Sequence, residues 1–335
     1  MLLNLNKTNM KKEHVILSLF AGYGGSRLSA EYAGLNVVKH YSSEIEESAI
    51  KVLNANFPDT IQVGDVRNLK PEDFLDLTLI DGGSPCQCLS FMGKKKGFST
   101  TTEIEILTLE HYEQLVSEGF EFEGQSYLFW EFVRLFRGIR NLQIERGLPV
   151  LNFLLENVKM VKKWENVIST ALSVRPIVFD AARVSAQSRV RLFWTDINGV
   201  QIPEDRGITI GDIVNGAKNG AGFRGRKDKN GKYFYPKTIR IDGKSNCLVT
   251  KLGSISKKDG SHYGTGFYET ESGEIKQLTI MEAEVLQGLK VGYTNVNGVS
   301  ETKRIKMIGN GWCIPVTGHI YSFLNNKQIL KSKKI

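Results

Sequence analysis

The stretch DGGSPCQCLS contains two cysteines, Cys86 and Cys88, one residue apart. Such a pair can be half of a metal site, one end of a disulfide, or a single reactive thiol beside an unreactive neighbour. The other two cysteines, Cys247 and Cys313, are isolated and no histidine has a paired spacing with them, which disfavours zinc and a disulfide framework. Pro85 fixes φ directly before Cys86, at the end of an apolar run. Cys86 is therefore a candidate nucleophile, and the other three cysteines are expected to be buried small hydrophobes.

Further groups able to do chemistry follow in two later segments. Glu156 and Asn157 end the apolar run LNFLLEN, and Gln187, Arg189 and Arg191 lie in AQSRVRLFW. In a strand, side chains two residues apart share a face, so the two arginines are expected on one side. A thiol, a carboxyl group and an arginine pair at strand ends form a chemically coherent set. Each of them alone could also be part of a structural ion pair.

A glycine-rich loop precedes these groups in the chain. Gly22, Gly24 and Gly25 directly follow the first apolar run and open a helical stretch, which allows a ligand to approach backbone N–H groups. A dinucleotide-binding G-x-G-x-x-G would need glycine at position 27, where Arg27 stands. The loop thus predicts a ligand site and disfavours a nicotinamide cofactor.

Two acidic residues follow at the ends of the next two predicted strands. Glu44 can bind two ribose hydroxyls, and Asp65 can accept from an adenine amino group. Ligands of such sheets bind at the carboxyl ends of the strands, where the loop and both acids are expected to meet. Alternatively, the two carboxylates only cap the helices that follow them.

The elements that must position these groups alternate between strands and helices, which predicts a doubly wound α/β fold with a mostly parallel sheet. Gly82 and Gly83 are expected to form a sharp turn, and the first helix is expected to have Ser26 as N-cap and to stop at Gly34. The predicted strands are 14–20, 36–44, 60–65, 75–83, 149–157, 175–185 and 188–197, and the predicted helices are 24–34, 46–57, 127–143, 277–289 and 316–330.

The charge is unevenly distributed along the chain. The net charge is +8, yet residues 97–126 contain seven Glu and no other charged residue, which leaves +15 on the rest. The basic remainder predicts a polyanionic partner, although a solvated lysine-rich surface fits the same numbers. Because the first apolar run, VILSLF, is too short for a membrane span or a signal sequence, a cytoplasmic setting without membrane attachment is expected.

Taken together and in this order, the motifs resemble those of the DNA (cytosine-5) methyltransferases over nearly the whole chain. LSLFAGYGGSRLSAEYAG resembles the S-adenosylmethionine loop, while SSEIEESAI and GDVRNL resemble the segments with the ribose and adenine acids. GGSPCQCLSFMGKKKGF resembles the catalytic P-C loop, LFWEFVRL the helix on the cofactor side, LLENV the E-N-V motif and AQSRVRLFW the Q-x-R-x-R motif. QLTIMEAEVLQGL and MIGNGWCIPV resemble the two closing motifs.

The resemblance implies a fold, a domain organisation and a cofactor site. It implies a sheet of the S-adenosylmethionine-dependent methyltransferase type, with a catalytic domain at 1–200 and 276–335 and a small, loop-rich target-recognition region at 201–275. The cofactor would be S-adenosyl-L-methionine, with S-adenosyl-L-homocysteine as product and no metal. Its implied contacts are Phe20, Ala21, Gly22, Gly24, Gly25, Ser26, Glu44, Asp65, Val66, Pro85, Leu128, Asn310 and Trp312.

The resemblance also implies a mechanism and a substrate. Cys86 would add to C6 of a flipped cytosine, Glu156 would bind N3 and the 4-amino group, and Arg189 and Arg191 would hold O2, a phosphate and the catalytic loop. The implied partner is double-stranded DNA, and its contacts are expected at Gln87, Ser90, Lys94, Lys95, Arg224 and Arg226. The lysines can equally be a solvated charge run.

Two departures from the family pattern qualify these expectations. The closing motif usually continues G-N-S or G-N-A, whereas this chain has Gly311 and then Trp312. Together with the short variable region, this tryptophan makes the chain similar to the vertebrate de novo branch. The acidic insert, residues 99–126, is absent from the common pattern, so self-association or a protein partner through it is expected. The alternative functions are an RNA cytosine-5 methyltransferase, which the missing C-F-T signature disfavours, and a non-catalytic DNA-binding homologue.

Overall fold

A central seven-stranded sheet organises the chain. The computed structural model describes residues 12–86, 88–89, 97–214, 226–227, 233–234, 243–252, 254–255, 262–263, 267–269 and 275–325. The strands are β1 (Glu13–Leu19), β2 (Asn36–Ser43), β3 (Ile61–Gln62), β4 (Leu79–Gly83), β5 (Asn152–Val158), β6 (Ile177–Asp180) and β7 (Val190–Thr195). Their order is β3-β2-β1-β4-β5-β7-β6. Strand β7 is antiparallel to both β5 and β6, and the other pairs are parallel, which confirms the predicted mixed, mostly parallel sheet.

Eight α-helices accompany this sheet in the described ranges. They are α1 (Gly25–Tyr32), α2 (Glu47–Asn56), α3 (Leu109–Ser117), α4 (Phe129–Glu145), α5 (Lys162–Leu172), α6 (Ile280–Leu286), α7 (Glu301–Asn310) and α8 (Ile314–Tyr321). Helices α3, α5 and α7 were not predicted from the sequence. The predicted closing helix at 316–330 begins earlier, as α8, and continues as a 3-10 turn over Ser322–Asn325, and its last predicted residues lie outside the described part of the chain.

Two local predictions require correction, and a third is confirmed. The N-cap of α1 is Gly24 rather than Ser26, because the Ser26 hydroxyl points into the core and donates to Asp81. The third strand covers only Ile61–Gln62, so Asp65 lies beyond its end, where it caps a 3-10 turn over Val66–Asn68. Gly34 does follow the end of α1 with φ +66°, in the left-handed region that suits a glycine helix stop.

The two faces of the sheet are both covered by apolar residues. Alternate residues of one strand belong to different clusters: Leu17 packs with Phe132 and other residues of α4, whereas Ile16 packs with Ile320 of α8. Both strand residues are fully buried. The alternation therefore fixes β1 in the middle of the sandwich, with its C-terminal end at the edge where the glycine loop begins.

The region predicted to recognise the target is described only in part. Three short antiparallel pairs occur there: β8 (Arg226–Lys227) with β9 (Tyr233–Phe234), β10 (Ser254–Ile255) with β11 (His262–Tyr263), and β12 (Phe267–Glu269) with β13 (Ile275–Gln277). In contrast, Ile210 and Leu248 are buried in the same cluster as Leu286 of α6. Both flanks of the region are thus joined to the core, and its role in recognition stays a prediction.

Candidate active site

A cavity of about 710 Å³ opens at the carboxyl ends of the parallel strands. Its wall contains the glycine loop, both acids, Cys86, Glu156 and the two arginines. Every residue expected to contact the cofactor lines it except Gly24. The sequence analysis placed these groups on different strands, and the sheet brings them to one cavity because parallel strands end at the same edge.

The glycine loop is held in an unusual backbone conformation. Phe20, Gly22 and Gly24 all have positive φ, at 57°, 55° and 95°. Gly24 has a second reason to be glycine, since a Cβ there would lie 2.5 Å from Cδ1 of Leu53. Gly22, in contrast, would have nothing within 4 Å of a Cβ, so its face is open toward the cavity.

The two acidic residues differ in how much hydrogen-bonding capacity they retain. Glu44 accepts from the N–H groups of Gly22 at 2.9 Å and of Ile45 and Glu46 at 2.8 Å. A carboxylate has about four acceptor positions, so one remains for a ligand hydroxyl. Asp65 accepts from the backbone N–H and the guanidinium of Arg67, which lowers the pKa of its carboxyl. Asp65 therefore also has the capping role that was the alternative, whereas Glu44 does not, because its partners all precede α2, whose N-cap is Glu46. An adenine contact by Asp65 stays a prediction.

Cys86 lies in a tight turn just beyond β4. The N–H of Leu89 donates to the carbonyl oxygen of Cys86 at 2.9 Å. On the other side, the amide of Asn157 donates to the carbonyl and to the hydroxyl of Ser84, at 3.1 and 3.0 Å. The second residue of the E-N-V motif thus ties β5 to the residue before Pro85. The Cys86 thiol is half-buried at this position, and Cys88 and Cys313 are buried, as predicted. The same prediction for Cys247 was wrong, because this residue is only half-buried and its sulfur accepts from Arg189 at 3.4 Å.

Gly82 and Gly83 serve close packing, and the expectation that they form a sharp turn was wrong. Both belong to β4, and neither has a positive φ. A Cβ on Gly83 would lie 2.9 Å from the indole nitrogen of Trp312 and 3.0 Å from Oε2 of Glu156. Glycine at this position leaves the space in which the tryptophan and the carboxyl group meet.

Glu156 is a buried acid with two neighbouring donors. Nε of Arg191 lies 3.0 Å from its Oε1, and the Trp312 indole N–H donates to it. Burial raises the pKa of Glu156 above its ordinary value, and the two arginines offset part of that rise. Burial also raises the pKa of the Cys86 thiol, and the Glu156 carboxylate raises it further while Arg191 lowers it. The thiol and the carboxyl group are therefore electrostatically coupled.

Arg189 has a different environment from Arg191. Its guanidinium donates to the carbonyl oxygens of Leu248 at 3.0 Å, Gly309 at 3.0 Å and Gly311 at 2.9 Å. The side chain is only 3% exposed. Both arginines line the cavity, as their shared strand face predicts, but most donors of Arg189 are already used to join the closing motif to the segment at 243–252.

Two groups of residues near the cavity were not predicted from the sequence. The first consists of Tyr23, Gly311 and Trp312. The hydroxyl of Tyr23 donates to the carbonyl oxygen of Trp312, and a Cβ on Gly311 would lie 2.0 Å from the Tyr23 ring. The departure from G-N-S or G-N-A at Gly311 thus has a steric reason in this chain. The glycine loop gave the available signal, since a tyrosine at its centre must pack somewhere.

The second missed group lies beneath the glycine loop. Asp81 is fully buried and accepts hydrogen bonds from Ser18 at 2.8 Å, Ser26 at 2.6 Å and Tyr321 at 2.7 Å. Burial raises the pKa of Asp81 to about 6. Ser26 was expected to contact the cofactor, and although it lines the cavity, its hydroxyl is directed to Asp81. The cluster joins β1, β4, α1 and α8.

Several predicted DNA contacts fall on parts of the chain that the structure does not describe. They are Gln87, Ser90, Lys94, Lys95 and Arg224, together with the side chain of Arg226. Among the described residues, no group of three or more His, Cys, Asp or Glu side chains could hold a metal ion. No helix in the described ranges is long and apolar enough to cross a membrane.

Comparison with solved structures identifies the fold class of this chain. DNMT2 of Spodoptera frugiperda, in a mutant form, matches with a TM-score of 0.63 at 14% identity, covering 93% of this chain and 99% of that one. EhMeth, a methyltransferase of Entamoeba histolytica, matches with a TM-score of 0.61 at 15% identity, covering 94% and 98%. At these identities the comparison shows a shared fold, which is the methyltransferase fold that the resemblance implied.

The sequence comparison then defines the family. The model of the C-5 cytosine-specific DNA methylases matches residues 15–193, which is more than half of the chain, and the chain belongs to this family. Type II methyltransferase M1.ScrFI of Lactococcus lactis subsp. cremoris is 27% identical, covering 96% of this chain and 80% of the relative. Type II methyltransferase M.HpaII of Haemophilus parainfluenzae is 25% identical, covering 92% and 88%. The specific similarity to the vertebrate de novo branch stays a prediction.

Proposed function

We propose that this chain transfers the methyl group of S-adenosylmethionine to C5 of cytosine in double-stranded DNA, through a covalent bond between Cys86 and C6. The observation that carries the proposal is that Cys86, Glu156 and Arg191 line the same cavity as Gly22 and Glu44. A nucleophile, an acid beside a cation, and a loop suited to a nucleoside ligand are the groups that this reaction requires.

The cavity fits the proposed cofactor in size and in the donors and acceptors that it offers. Its volume of about 710 Å³ lies within the usual range for sites of small ligands. Gly22 is open to it, and Glu44 retains an acceptor position for a ribose hydroxyl. S-adenosylmethionine, when bound, supplies an electrophilic methyl group on a sulfonium.

Cys86 opens the reaction because C5 of cytosine is a poor nucleophile. The thiolate sulfur adds to C6, the C5=C6 double bond is lost, and the electron pair is delocalised toward N3 and C5. Glu156 would bind N3 and the 4-amino group, and burial, which raises its pKa, makes it easier for the carboxyl to take up a proton that it can donate to N3. The Glu156 proton thereby stabilises the charge that addition places on the ring.

Arg191 would orient this acid and bind the base, while Arg189 is proposed as a positioning residue. The contact between Arg191 and Glu156 fixes the carboxyl plane. The main-chain contacts of Arg189 hold Gly311 beside Trp312, whose indole in turn donates to Glu156. After methylation, loss of the C5 proton restores the double bond and expels the Cys86 sulfur.

The substrate has to leave the duplex to reach this cavity. Flipping a base costs a few kcal/mol, which contacts to the backbone must offset. We propose that residues 201–275 supply target recognition, because the segment FRGRKDKNGKYFYPKTIR combines several basic and aromatic residues. The lysines at 94 and 95 would contact phosphates.

Transfer from labelled S-adenosylmethionine to duplex DNA and to tRNA tests the function and separates it from the RNA alternative. We expect labelled DNA and unlabelled tRNA. A duplex containing 5-fluorocytosine is expected to form an adduct at Cys86, since fluorine cannot leave as the C5 proton does. Labelled tRNA alone would favour the RNA enzyme, and the absence of both transfer and adduct would favour a non-catalytic homologue. Bisulfite sequencing of DNA from expressing cells then gives the sequence context.

A further inference from the structure

The acidic insert, residues 99–126, is built into the domain core. Ile106 and Leu115 are buried in the same cluster as Phe129 and Trp130 of α4. The Tyr112 hydroxyl donates to Oε1 of the buried Glu131 at 2.6 Å. An insert that existed only to bind a partner would not need these internal contacts. The insert therefore has a structural role inside the domain.

The C-terminal part of the insert holds the residue two positions after Cys86. The N–H of Cys88 donates to Oγ of Ser126 at 3.1 Å, and Ser126 is fully buried. The Cys88 thiol lies 3.8 Å from the carbonyl oxygen of Glu123, as a weak donor. A Cβ on Gly124 would lie 2.9 Å from that sulfur, so a side chain at this position would displace Cys88.

The N-terminal boundary of the insert is tied to the same residue. The N–H of Gly97 donates to the carbonyl oxygen of Cys88 at 3.0 Å. Gly97 has φ +71°, and a Cβ there would overlap the Trp164 ring at 1.8 Å. The next residue, Phe98, is fully buried and stacks on Phe129 with ring centroids 5.1 Å apart. Both boundaries of the insert therefore converge on the main chain of Cys88.

The C-terminal end of the insert lies at the cavity wall. Gln125 and Tyr127, the two neighbours of Ser126, line the cavity together with Cys86. Arg67, which pairs with Asp65, also bonds to the Tyr127 hydroxyl. Ser126 thus connects the wall of the proposed cofactor site with the base of the turn that presents the thiol.

We propose that the acidic insert is an anchor for the catalytic turn and that Ser126 is a positioning residue that acts on Cys86 through the main chain of Cys88. The hydrogen bond from Cys88 N–H to Ser126 holds Cys88 in place, two positions after Cys86, and Gly124 leaves room for the Cys88 sulfur. The effect on methyl transfer rests on the proposed function, whereas the effect on the thiol does not.

The test compares Ser126→Ala with Ser117→Ala. The Ser117 hydroxyl lies in the same insert, is exposed and donates to Gln114 of its own helix, so its removal is a matched control. Three quantities are measured: the affinity for S-adenosylhomocysteine by calorimetry, the single-turnover rate on duplex DNA, and the rate at which iodoacetamide alkylates Cys86, assigned by tandem mass spectrometry. The alkylation needs neither DNA nor cofactor.

For Ser126→Ala we expect an affinity for S-adenosylhomocysteine within about threefold of wild type and a single-turnover rate lowered by about tenfold or more. Alkylation of Cys86 should be faster by about threefold, because a loosened turn misplaces and exposes the thiol. Ser117→Ala should match wild type in all three. Unchanged alkylation, or a loss of affinity equal to the loss of rate, would overturn the proposal. A wild-type protein that transfers no methyl group would instead contradict the proposed function.

A second variant keeps the proposal testable should Ser126→Ala fail to fold. Gly124→Ala forces a methyl group against the Cys88 sulfur and should also accelerate Cys86 alkylation. Adding Cys88→Ala removes the contacted sulfur, so the double variant should return part of the way to the wild-type alkylation rate. Alkylation of Gly124→Ala at the wild-type rate would contradict the anchor.

Discussion

Nε of Arg191 lies 3.0 Å from Oε1 of Glu156, and the two side chains have opposite effects on the neighbouring thiol. The carboxylate raises the pKa of Cys86, second only to burial, whereas Arg191 lowers it. Protonation of Glu156 removes this negative charge and favours the thiolate. In the proposed mechanism, the protonation state of Glu156 would therefore influence the reactivity of the Cys86 thiol.

Replacement of this acid should separate thiol reactivity from catalysis. In Glu156→Gln, methyl transfer is expected to fall by about 100-fold or more, because the proton donor to N3 is lost. Alkylation of Cys86 by iodoacetamide at pH 8 is expected to be faster than in wild type, because the carboxylate no longer disfavours the thiolate. Glu110→Gln, an exposed position on α3, serves as the control. Slower alkylation in Glu156→Gln would contradict the coupling.

The two neighbouring cysteines should respond differently to the same substitution. Cys86→Ser should abolish transfer of a labelled methyl group to DNA, since a serine hydroxyl is a far weaker nucleophile at neutral pH. Cys88→Ser should keep most of the activity, because its contribution to the turn comes mainly from the backbone N–H. Equal losses in both variants would argue against a single nucleophile.

The packing of Gly311 on Tyr23 predicts a measurable coupling. Gly311→Ser introduces the residue that the family motif usually has, but its Cβ would overlap the Tyr23 ring. We expect a loss of about 1–3 kcal/mol in the free energy of unfolding, from denaturant titration. Tyr23→Ala also destabilises by leaving a cavity, yet the double variant should be less destabilised than the sum of the two single variants. Simple additivity would show that the two residues do not interact.

The buried Asp81 should make stability depend on pH in an unusual direction. Its pKa is raised from the ordinary 3.8 to about 6, so the folded state binds the proton more tightly than the unfolded state. The stability gained from this proton is present below pH 4 and is lost as pH rises through 6, by about 3 kcal/mol.

Comparison with Asp81→Asn isolates the effect from other titrating groups. The difference in unfolding free energy between wild type and Asp81→Asn should change by about that amount between pH 4 and pH 7, with wild type relatively less stable at the higher pH. A difference that does not vary with pH would contradict the raised pKa.

The fold could be predicted from the sequence wherever local patterns of apolar and polar residues reflect the position of a segment in the sheet. Buried runs separated by helical stretches identified the sheet, and residues at strand ends were predicted to converge because parallel strands terminate together. The third strand was overestimated because Val63 continues the alternation of apolar and polar residues past Ile61 and Gln62, the two residues that pair with β2. The roles of Gly82 and Gly83 were mistaken because close approach of distant side chains leaves no local signal.

Side-chain partners were the least predictable part of the site. Ser26 looked like a helix cap, but its bond to Asp81 depends on β4, 55 residues further along the chain. Arg189 and Arg191 line one cavity, as alternation predicts, although Arg189 precedes β7. Only the structure shows that Arg189 donates mainly to main-chain carbonyls and that Arg191 pairs with Glu156. These differences come from tertiary packing around each residue.

The hydrogen bond between Tyr321 and Asp81 joins residues 240 positions apart and has a consequence for the order of folding. Tyr23 and Trp312, separated by 289 positions, are joined in the same way. During synthesis the glycine loop is made early, but it has to wait for α8 before its supporting contacts exist. Such distant pairings close slowly because a long loop must be ordered first. The nascent chain should thus remain inactive until α8 has emerged from the ribosome.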